Sequence, residues 1–380
     1  MQMTYRELKD EIAKIIPRNI EYEVDLEAGN IAIITTNMKP FTGQDGLIGK
    51  IARRIKRKIV LRTPIDAMMD MDEAKDVIND IIPEDADITE MYFDACYREV
   101  TIQCRQPGTA IGRRGENSNA IRDKTGWAVK VERTPPLFSK TVHDIRMYRQ
   151  THGDERRKLL KDFGLNIHRP TRPGGTWARV TALGSYREVG RACHYVTTNE
   201  SRIMIDVGVN IASDTDPMPF FNAPEALPLD KLDAVVLTHS HLDHAGMLPV
   251  LFKYGYRGPV YCTPPTRDLM LLLQTDYLKV GGAEGKRTPY DMEDIRMCMK
   301  HVVDVDWDST TDIAPDVKLT FSNAGHILGS SAVHLNIADG KHNVVFSGDQ
   351  KYEKSWLFDA ANTRFCLLYT SDAADEGGSV

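Results

Sequence analysis

Long apolar runs are missing from this sequence. No stretch reaches the about 18 to 20 consecutive apolar residues that a membrane-spanning helix requires. The opening MQMTYRELKDEIAKII alternates charged with apolar residues where a signal peptide would carry an apolar core. No membrane-spanning helix is expected, and a cytoplasmic location is the default expectation. Cysteine is scarce and dispersed: six residues, Cys96, Cys104, Cys193, Cys262, Cys298 and Cys366, with no CxxC pair. That spacing suggests neither a disulfide framework nor a cysteine zinc site, so the thiols read as buried and reduced. A strong excess of one charge is also absent, with 48 Lys and Arg against 54 Asp and Glu and a net charge of -6. The total points to no polyanionic partner, although an average over several domains can hide a local basic surface. What remains is an ordinary globular composition, 42% hydrophobic and 27% charged over 380 residues, with room for two or three domains.

The first third carries an internal repeat. IIP occurs at Ile15 to Pro17 and again at Ile81 to Pro83, an offset of 66, and the same offset carries Gly46 and Gly49 of GLIG onto Gly112 and Gly115 of GRRG. In the first copy Tyr5, Leu8, Ile12 and Ile15 recur at helical spacing, and EYEVDLEAGNIAIIT reads as two strands around an Ala-Gly-Asn turn. A glycine pair, a basic helix and a strand follow. In the second copy Ala74, Val77, Ile78 and Ile81 mark the helix, MYFDACYREVTIQC the strands, ENSNAIRDKTG a helix stopped at Gly126, and WAVKVE the last strand. Both copies are expected to run helix, strand, strand, helix, helix, strand.

A GxxG tetrapeptide between two helices lets a phosphate approach the backbone, because glycine has no Cβ and the following helix presents its N–H groups. AIGRRGENSNAIRDKTGWAVKV resembles the core of a KH domain, a module that clamps about four nucleotides of single-stranded nucleic acid. Arg113 and Arg114 then stand where their cations would meet the sugar-phosphate backbone. The first copy is weaker, since Leu47 and Ile48 replace the basic pair. Just downstream, GKIARRIKRKIVLR holds Lys50, Arg53, Arg54 and Arg57 without an acid, which suggests sequence-blind phosphate contacts or a merely solvated helix face. A stretch rich in proline, arginine and lysine follows, with a short helix expected around Gly153 to Phe163 and a domain boundary near Gly174.

From Trp177 short strands alternate with helical patterns, the texture of a layered α/β domain. HSHLDH, residues 239 to 244, follows the apolar run DAVVLT directly. Residues two apart on an extended segment project to one side, so His239 and His241 can grip one metal ion. Asp243 and His244 come at the first turn of the next helix and turn toward a second metal position. A zinc ion needs about four ligands. His326 in AGHILGSS and Asp349 closing VVFSGD supply further candidates at strand ends, and an aspartate can bridge two cations with its two oxygens. Asp206, closing RIMIDVG, reads better as an acceptor that orients a ligand histidine than as a ligand. His194, His334 and His342 fit no such pattern and read as structural or exposed.

HxHxDH, then a GH loop, then SGD at a strand end resembles the motif series of the metallo-β-lactamase fold. In that family's terms His239, His241 and His326 hold a first zinc, Asp243 and His244 a second, and Asp349 lies between them. With two KH-like units ahead of it, the chain resembles the archaeal β-CASP ribonucleases related to the cleavage and polyadenylation specificity factor, from about Met1 to Phe365. TALGSYREVGRACHYV, LTHSHLDHAGMLPVL, AGHILGSSAVHL and FSGDQKY carry the likeness. It implies a two-zinc hydrolase that cuts single-stranded RNA endonucleolytically and sometimes from the 5′ end, in mRNA 3′-end formation and transcription termination, leaving a 5′-phosphate and a 3′-hydroxyl. Asp243 and Asp206 would be its catalytic carboxylates, Asp243 orienting the attacking water. The implied partners are single-stranded RNA and the transcription machinery, and a homodimer is expected.

The expected architecture is thus α/β and α+β, multidomain: a degenerate KH-like module over 1–68, a KH domain over 69–140 with its GxxG loop at Gly112 to Gly115, both αββααβ, a basic linker over 141–175, and the N-terminal part of a metallo-β-lactamase αββα sandwich over 176–365. Residues 366–380, CLLYTSDAADEGGSV, do not resemble the family's continuation and read as an unrelated tail on a truncated frame. That truncation predicts weak or absent activity, with the second zinc short of a histidine. Two other readings stay open: an RNA-binding protein with a vestigial metal site, and a hydrolase of a non-nucleic substrate.

Overall fold

The computed structural model describes residues 3–42, 46–172, 174–213 and 215–365, so the atypical tail beginning at Cys366 lies outside the described residues. Contacts divide the chain into two compact units, one of Tyr5–Gly164 and one of Leu165 onward with the first four residues.

In the first unit α1 (Tyr5–Ala13) buries Leu8 and Ile12, one helical turn apart. β1 (Glu23–Glu27) runs antiparallel to β2 (Asn30–Ile34), the turn placing Ala28 at φ 52°. After α2 (Leu47–Ile55), β3 (Ile59–Arg62) adds parallel to β2. The GLIG segment is not a loop between two helices here. Among the described residues a 3₁₀ turn at Lys39–Phe41 precedes α2, and Leu47, Ile48 and Gly49 form that helix's first turn. The cause is the apolar face that Leu47 and Ile48 share with the buried Ile51 and Ile55.

The second copy keeps the expected order: α3 (Met71–Ile81), β4 (Ile88–Asp94), β5 (Glu99–Cys104), α4 (Pro107–Ile111), α5 (Glu116–Thr125) and β6 (Ala128–Arg133). Its sheet repeats the first, with β4 and β5 antiparallel and β5 and β6 parallel. The first helices of the two copies begin at Tyr5 and Met71, and 71 − 5 gives the 66-residue offset of the repeat. Phe93 and Trp127 meet edge to face at 4.9 Å in a core that includes Ile78, Val100, Ile102 and Ile121.

Residues 141–164 correct the expected linker. α6 (Lys140–Thr151) and α7 (Gly153–Ile167) are continuous helices, and α7 carries the chain past the boundary between units. Ser139 Oγ accepts from Val142 N to cap α6, Ile145, Leu160 and Phe163 are buried, and Arg156, 1% exposed, places Nη1 at 2.8 Å and 3.0 Å from the two oxygens of Asp94. Arginines in this stretch bury their stems and heads instead of facing water, which is why composition alone suggested a linker.

The second unit opens with β7 (Ala178–Gly184), β8 (Cys193–Thr198), β9 (Arg202–Ile205) and β10 (Ala234–Val236). There follow α8 (Leu242–Ala245), α9 (Leu248–Lys253), β11 (Val260–Cys262), α10 (Pro264–Ala283), α11 (Met292–His301) and β12 (Val302–Asp304). One sheet has the order β12-β11-β10-β9-β8-β7, parallel from β9 to β12 and antiparallel from β7 to β9. β13 (Thr310–Ala314), β14 (Val317–Asn323), β15 (Ser331–Ile337) and β16 (His342–Phe346) form a second, antiparallel sheet in chain order. β12 and β13 are strands that the sequence reading did not separate. β10 and β11 are wholly buried, and β9 is buried apart from Arg202 at its start, as parallel strands covered on both faces must be. Among the described residues no helix is long and apolar enough to cross a membrane. All five described cysteines are free and buried.

Candidate metal centre

β9 and β10 are parallel neighbours, and the chain leaving them carries the first sheet's part of the site, Asp206 after β9 and His239 to His244 after β10. One residue past β9, Asp206 adopts φ 60° and donates its N–H to Val236 O at 2.9 Å. Its carboxylate is buried and accepts three hydrogen bonds, each 2.8 Å: from Thr238 N, from Thr238 Oγ1 and from His244 Nδ1. Because the Thr238 hydroxyl proton goes to Asp206, its oxygen is free to accept from His239 Nδ1 at 3.0 Å. Both histidines therefore carry a proton on Nδ1 and turn Nε2 inward.

The chain after Asp206 then crosses α8 at close range. Val207 N bonds His244 O and Val209 N bonds Leu242 O, and between them a Cβ on Gly208 would stand 1.7 Å from Asp243 O. Only glycine permits that approach. On the second sheet, the loop after β14 carries His326, fixed by its N–H and that of Ile327 donating to Ser330 Oγ. Asp349 follows β16 through Gly348, held at φ 55° against Thr238.

These elements converge. His239 Nε2 lies 3.2 Å from His241 Nδ1, which lies 3.2 Å from His326 Nε2. Asp349 Oδ2 is 3.5 Å from His326 Nε2 and 3.9 Å from His239 Nε2, and the four ligand atoms all fall within 4.8 Å of one another. A tetrahedral ion with bonds of about 2.0–2.1 Å holds its ligands about 3.3 Å apart, so the donor set fits such an ion. The other oxygen of Asp349, Oδ1, lies 3.3 Å from His244 Nε2, which is 3.9 Å from Asp243 Oδ2. One carboxylate thus faces two histidine groups.

The electrostatics match. Burial, then the neighbouring His244, pushes the His239 ring down to about 3, so it stays a neutral donor. At His244 burial works against the charge, but the Asp206 carboxylate outweighs it and raises the ring to about 10. A cation at Nε2 would take the place of that proton. Hydrogen bonding to His244 pulls Asp349 down to about 2.

All six sequence-predicted ligands, His239, His241, Asp243, His244, His326 and Asp349, meet here, with Asp206 behind His244. His334 bonds Asn343 and His342 faces Thr176 O, while His194 packs between the rings of Tyr186 and Phe346. Sequence reasoning missed Thr238, which joins Asp206, His239 and, through its carbonyl, the N–H of Ser331 on β15. Its signal was its place, the last residue of DAVVLT.

In the first unit Gly112 and Gly115 sit at φ 75° and 79°, with Arg113 and Arg114 exposed between them. Among the basic residues of the first copy, Lys50 and Arg53 are exposed, whereas Arg54 Nε is held by Glu11 at 2.7 Å and Arg57 donates to Lys56 O.

Residues 201–365 match the β-lactamase superfamily domain, a fold that implies metal binding, and residues 2–68 match the KH domain of transcription termination factor FttA. The chain is 44% identical over 365 residues to transcription termination factor FttA of Methanosarcina mazei and 44% over 367 residues to that of Methanothermobacter thermautotrophicus. Each match takes in 96% of this chain but only 57% and 58% of those relatives' lengths. Among solved structures, the metallo-β-lactamase fold protein YhfI of Bacillus subtilis is similar at 20% identity and a TM-score of 0.29, over 47% of this chain and 64% of that one.

Proposed function

This chain is a homologue of the transcription termination factors named FttA, with a KH domain and a β-lactamase superfamily domain, and from that premise we propose that it is a zinc-dependent ribonuclease acting on single-stranded RNA in termination. The observation that carries this reading is the division of Asp349, whose two oxygens face separate histidine groups.

On one side His239, His241 and His326 would hold an ion, on the other Asp243 and His244, with Asp349 shared. Bound zinc supplies Lewis acidity toward a phosphate and a nucleophilic water at neutral pH. The chain's own part is placement. Asp206 fixes the His244 ring by its Nδ1 proton, and Thr238 does the same for His239. Asp243, partly open to solvent, is the carboxylate best placed to hold the attacking water and accept its proton. Gly112 to Gly115 opens a path to the backbone amides, and Arg113 and Arg114 would pin the phosphates of the strand being cut. Lys50 and Arg53 extend that basic contact, with Arg54 and Arg57 secondary to it. We assign residues 1–68 and 69–140 as the two KH-type modules and 176–365 as the hydrolase domain. A cytoplasmic site of action, contact with the transcription machinery and a homodimer belong to the same reading.

The test is zinc per chain by elemental analysis beside cleavage of an end-labelled single-stranded RNA. Zinc-loaded protein should cut, His241→Ala should lose both zinc and cleavage, and its RNA binding should remain. A zinc-loaded chain that binds RNA without cutting it would favour an RNA-binding protein with a vestigial site.

A further inference from the structure

The segment Ser185 to Arg191, between β7 and β8, is strained and leads into the backbone that packs on the metal-ligating cluster. Ser185, Arg187 and Arg191 have φ of 70°, 64° and 42°, and Gly190 has 105°. Three non-glycine residues in the left-handed region within seven positions persist only where their surroundings over-determine them.

The surroundings do so through one side chain. Arg191 Nε donates to Glu188 Oε1 at 2.6 Å, and its Nη1 donates to Asp216 Oδ2 at 2.6 Å and to Met218 O at 3.1 Å. Glu188 in turn accepts from Ser185 N. The foot of the loop is bonded into the site: Ala192 N donates to Asp243 O at 2.8 Å, and Gly208 N to Ala192 O at 2.9 Å. A framework held by four polar contacts leaves its tip in water. Tyr186 is 57% exposed and Val189 88%, and Arg187 is exposed and meets no carboxylate among the described residues. The Tyr186 ring is also anchored at one edge, 5.6 Å from the ring of His194, whose strand partner Ile205 directly precedes Asp206.

Strain held in place by a buttressed arginine, with an aromatic face and an exposed guanidinium beside a cluster of metal-ligating side chains, is the equipment for holding a single strand: a base stacks on the ring and a phosphate meets the cation. We infer that Tyr186 and Arg187 are substrate-positioning residues of the metal centre, Tyr186 stacking on a base next to the bond that is cut and Arg187 holding the adjoining phosphate. This inference rests on the ribonuclease reading above. It assigns RNA contacts to the hydrolase domain itself, separate from those of the GxxG loop.

The experiment is photocrosslinking of a 5-iodouridine oligoribonucleotide to the whole chain in a metal chelator, where nothing is cut, with adducts located by mass spectrometry. Adducts on residues 185–191 are expected, besides those near Arg113 and Arg114. In metal-loaded protein Tyr186→Ala should lower kcat/KM for RNA cleavage about tenfold, the loss of one stacking contact. Tyr186→Phe should restore it, and zinc content should be the same in all three proteins. Adducts confined to the KH-type modules, or Tyr186→Ala with unchanged kcat/KM, overturn this inference and leave the ribonuclease reading standing. Absence of adducts anywhere removes both.

Discussion

Asp206 Oδ2 and His244 Nδ1 lie 2.8 Å apart, buried, with both Thr238 donors closing on the same carboxylate. Asp206 therefore acts on the metal site through His244 directly and through Thr238 on His239. Asp206→Asn puts an amide where only acceptors fit and leaves His244 in the wrong tautomer. Metal affinity should fall about 10- to 100-fold, measured by competition with a chelating dye. An unchanged affinity would show that the ring needs no orienting partner.

Gly208 tests the close crossing over α8. A methyl group there meets Asp243 O at 1.7 Å, a clash with backbone that no rotamer relieves. Gly208→Ala should cost on the order of 3 kcal/mol or more in urea unfolding and lower metal content with it. Normal stability with normal metal content would mean the crossing opens freely.

Arg113 and Arg114 are exposed in the GxxG loop and should act through phosphates alone. Each change to alanine should weaken RNA binding across all sequences and lower the slope of log Kd against log salt by about 1. Fluorescence anisotropy at several salt concentrations reads both. A sequence-selective loss would instead point to base contacts.

His301 gives a pH dependence away from the metal. Burial, assisted by Arg257 and Lys300 and opposed by the bond from Nδ1 to Met297 O, holds the ring at about 4 against an ordinary 6.5. The unfolded chain therefore binds the proton first as pH falls, so stability rises with pH across that window and is lost on acidification from 6.5 toward 4. Between pH 6.5 and 5 the loss is about 2 kcal/mol. His301→Asn, which keeps a donor for Met297, should flatten the urea midpoint over that range. Parallel profiles in the two proteins would remove His301 from the account.

How much of this was readable beforehand depends on how local each signal is. HSHLDH concentrates ligands within one turn after an apolar strand, so its half of the site stood out, and His326 and Asp349 gained meaning from matching a series. Thr238 did not, because its role is set by Asp206 and Ser331, 32 residues before it and 93 after it in the chain. β12 was hidden because Val302 follows α11 with no glycine or proline between them. The basic run before Gly164 looked like a linker because composition does not reveal that Arg156 is buried against Asp94. GLIG looked like GRRG because spacing was equal, while the apolar pair inside it belonged to a helix face.

Thr238 also has a consequence for how the centre forms. Its amide and hydroxyl are tied to the end of β9 and its carbonyl to the start of β15, so His239 is located by both sheets at once. His326 and Asp349 arrive only with the second sheet. A chain that has assembled one sheet alone offers an ion half a site. Metal uptake and the joining of the two sheets are then linked equilibria, each drawing the other forward.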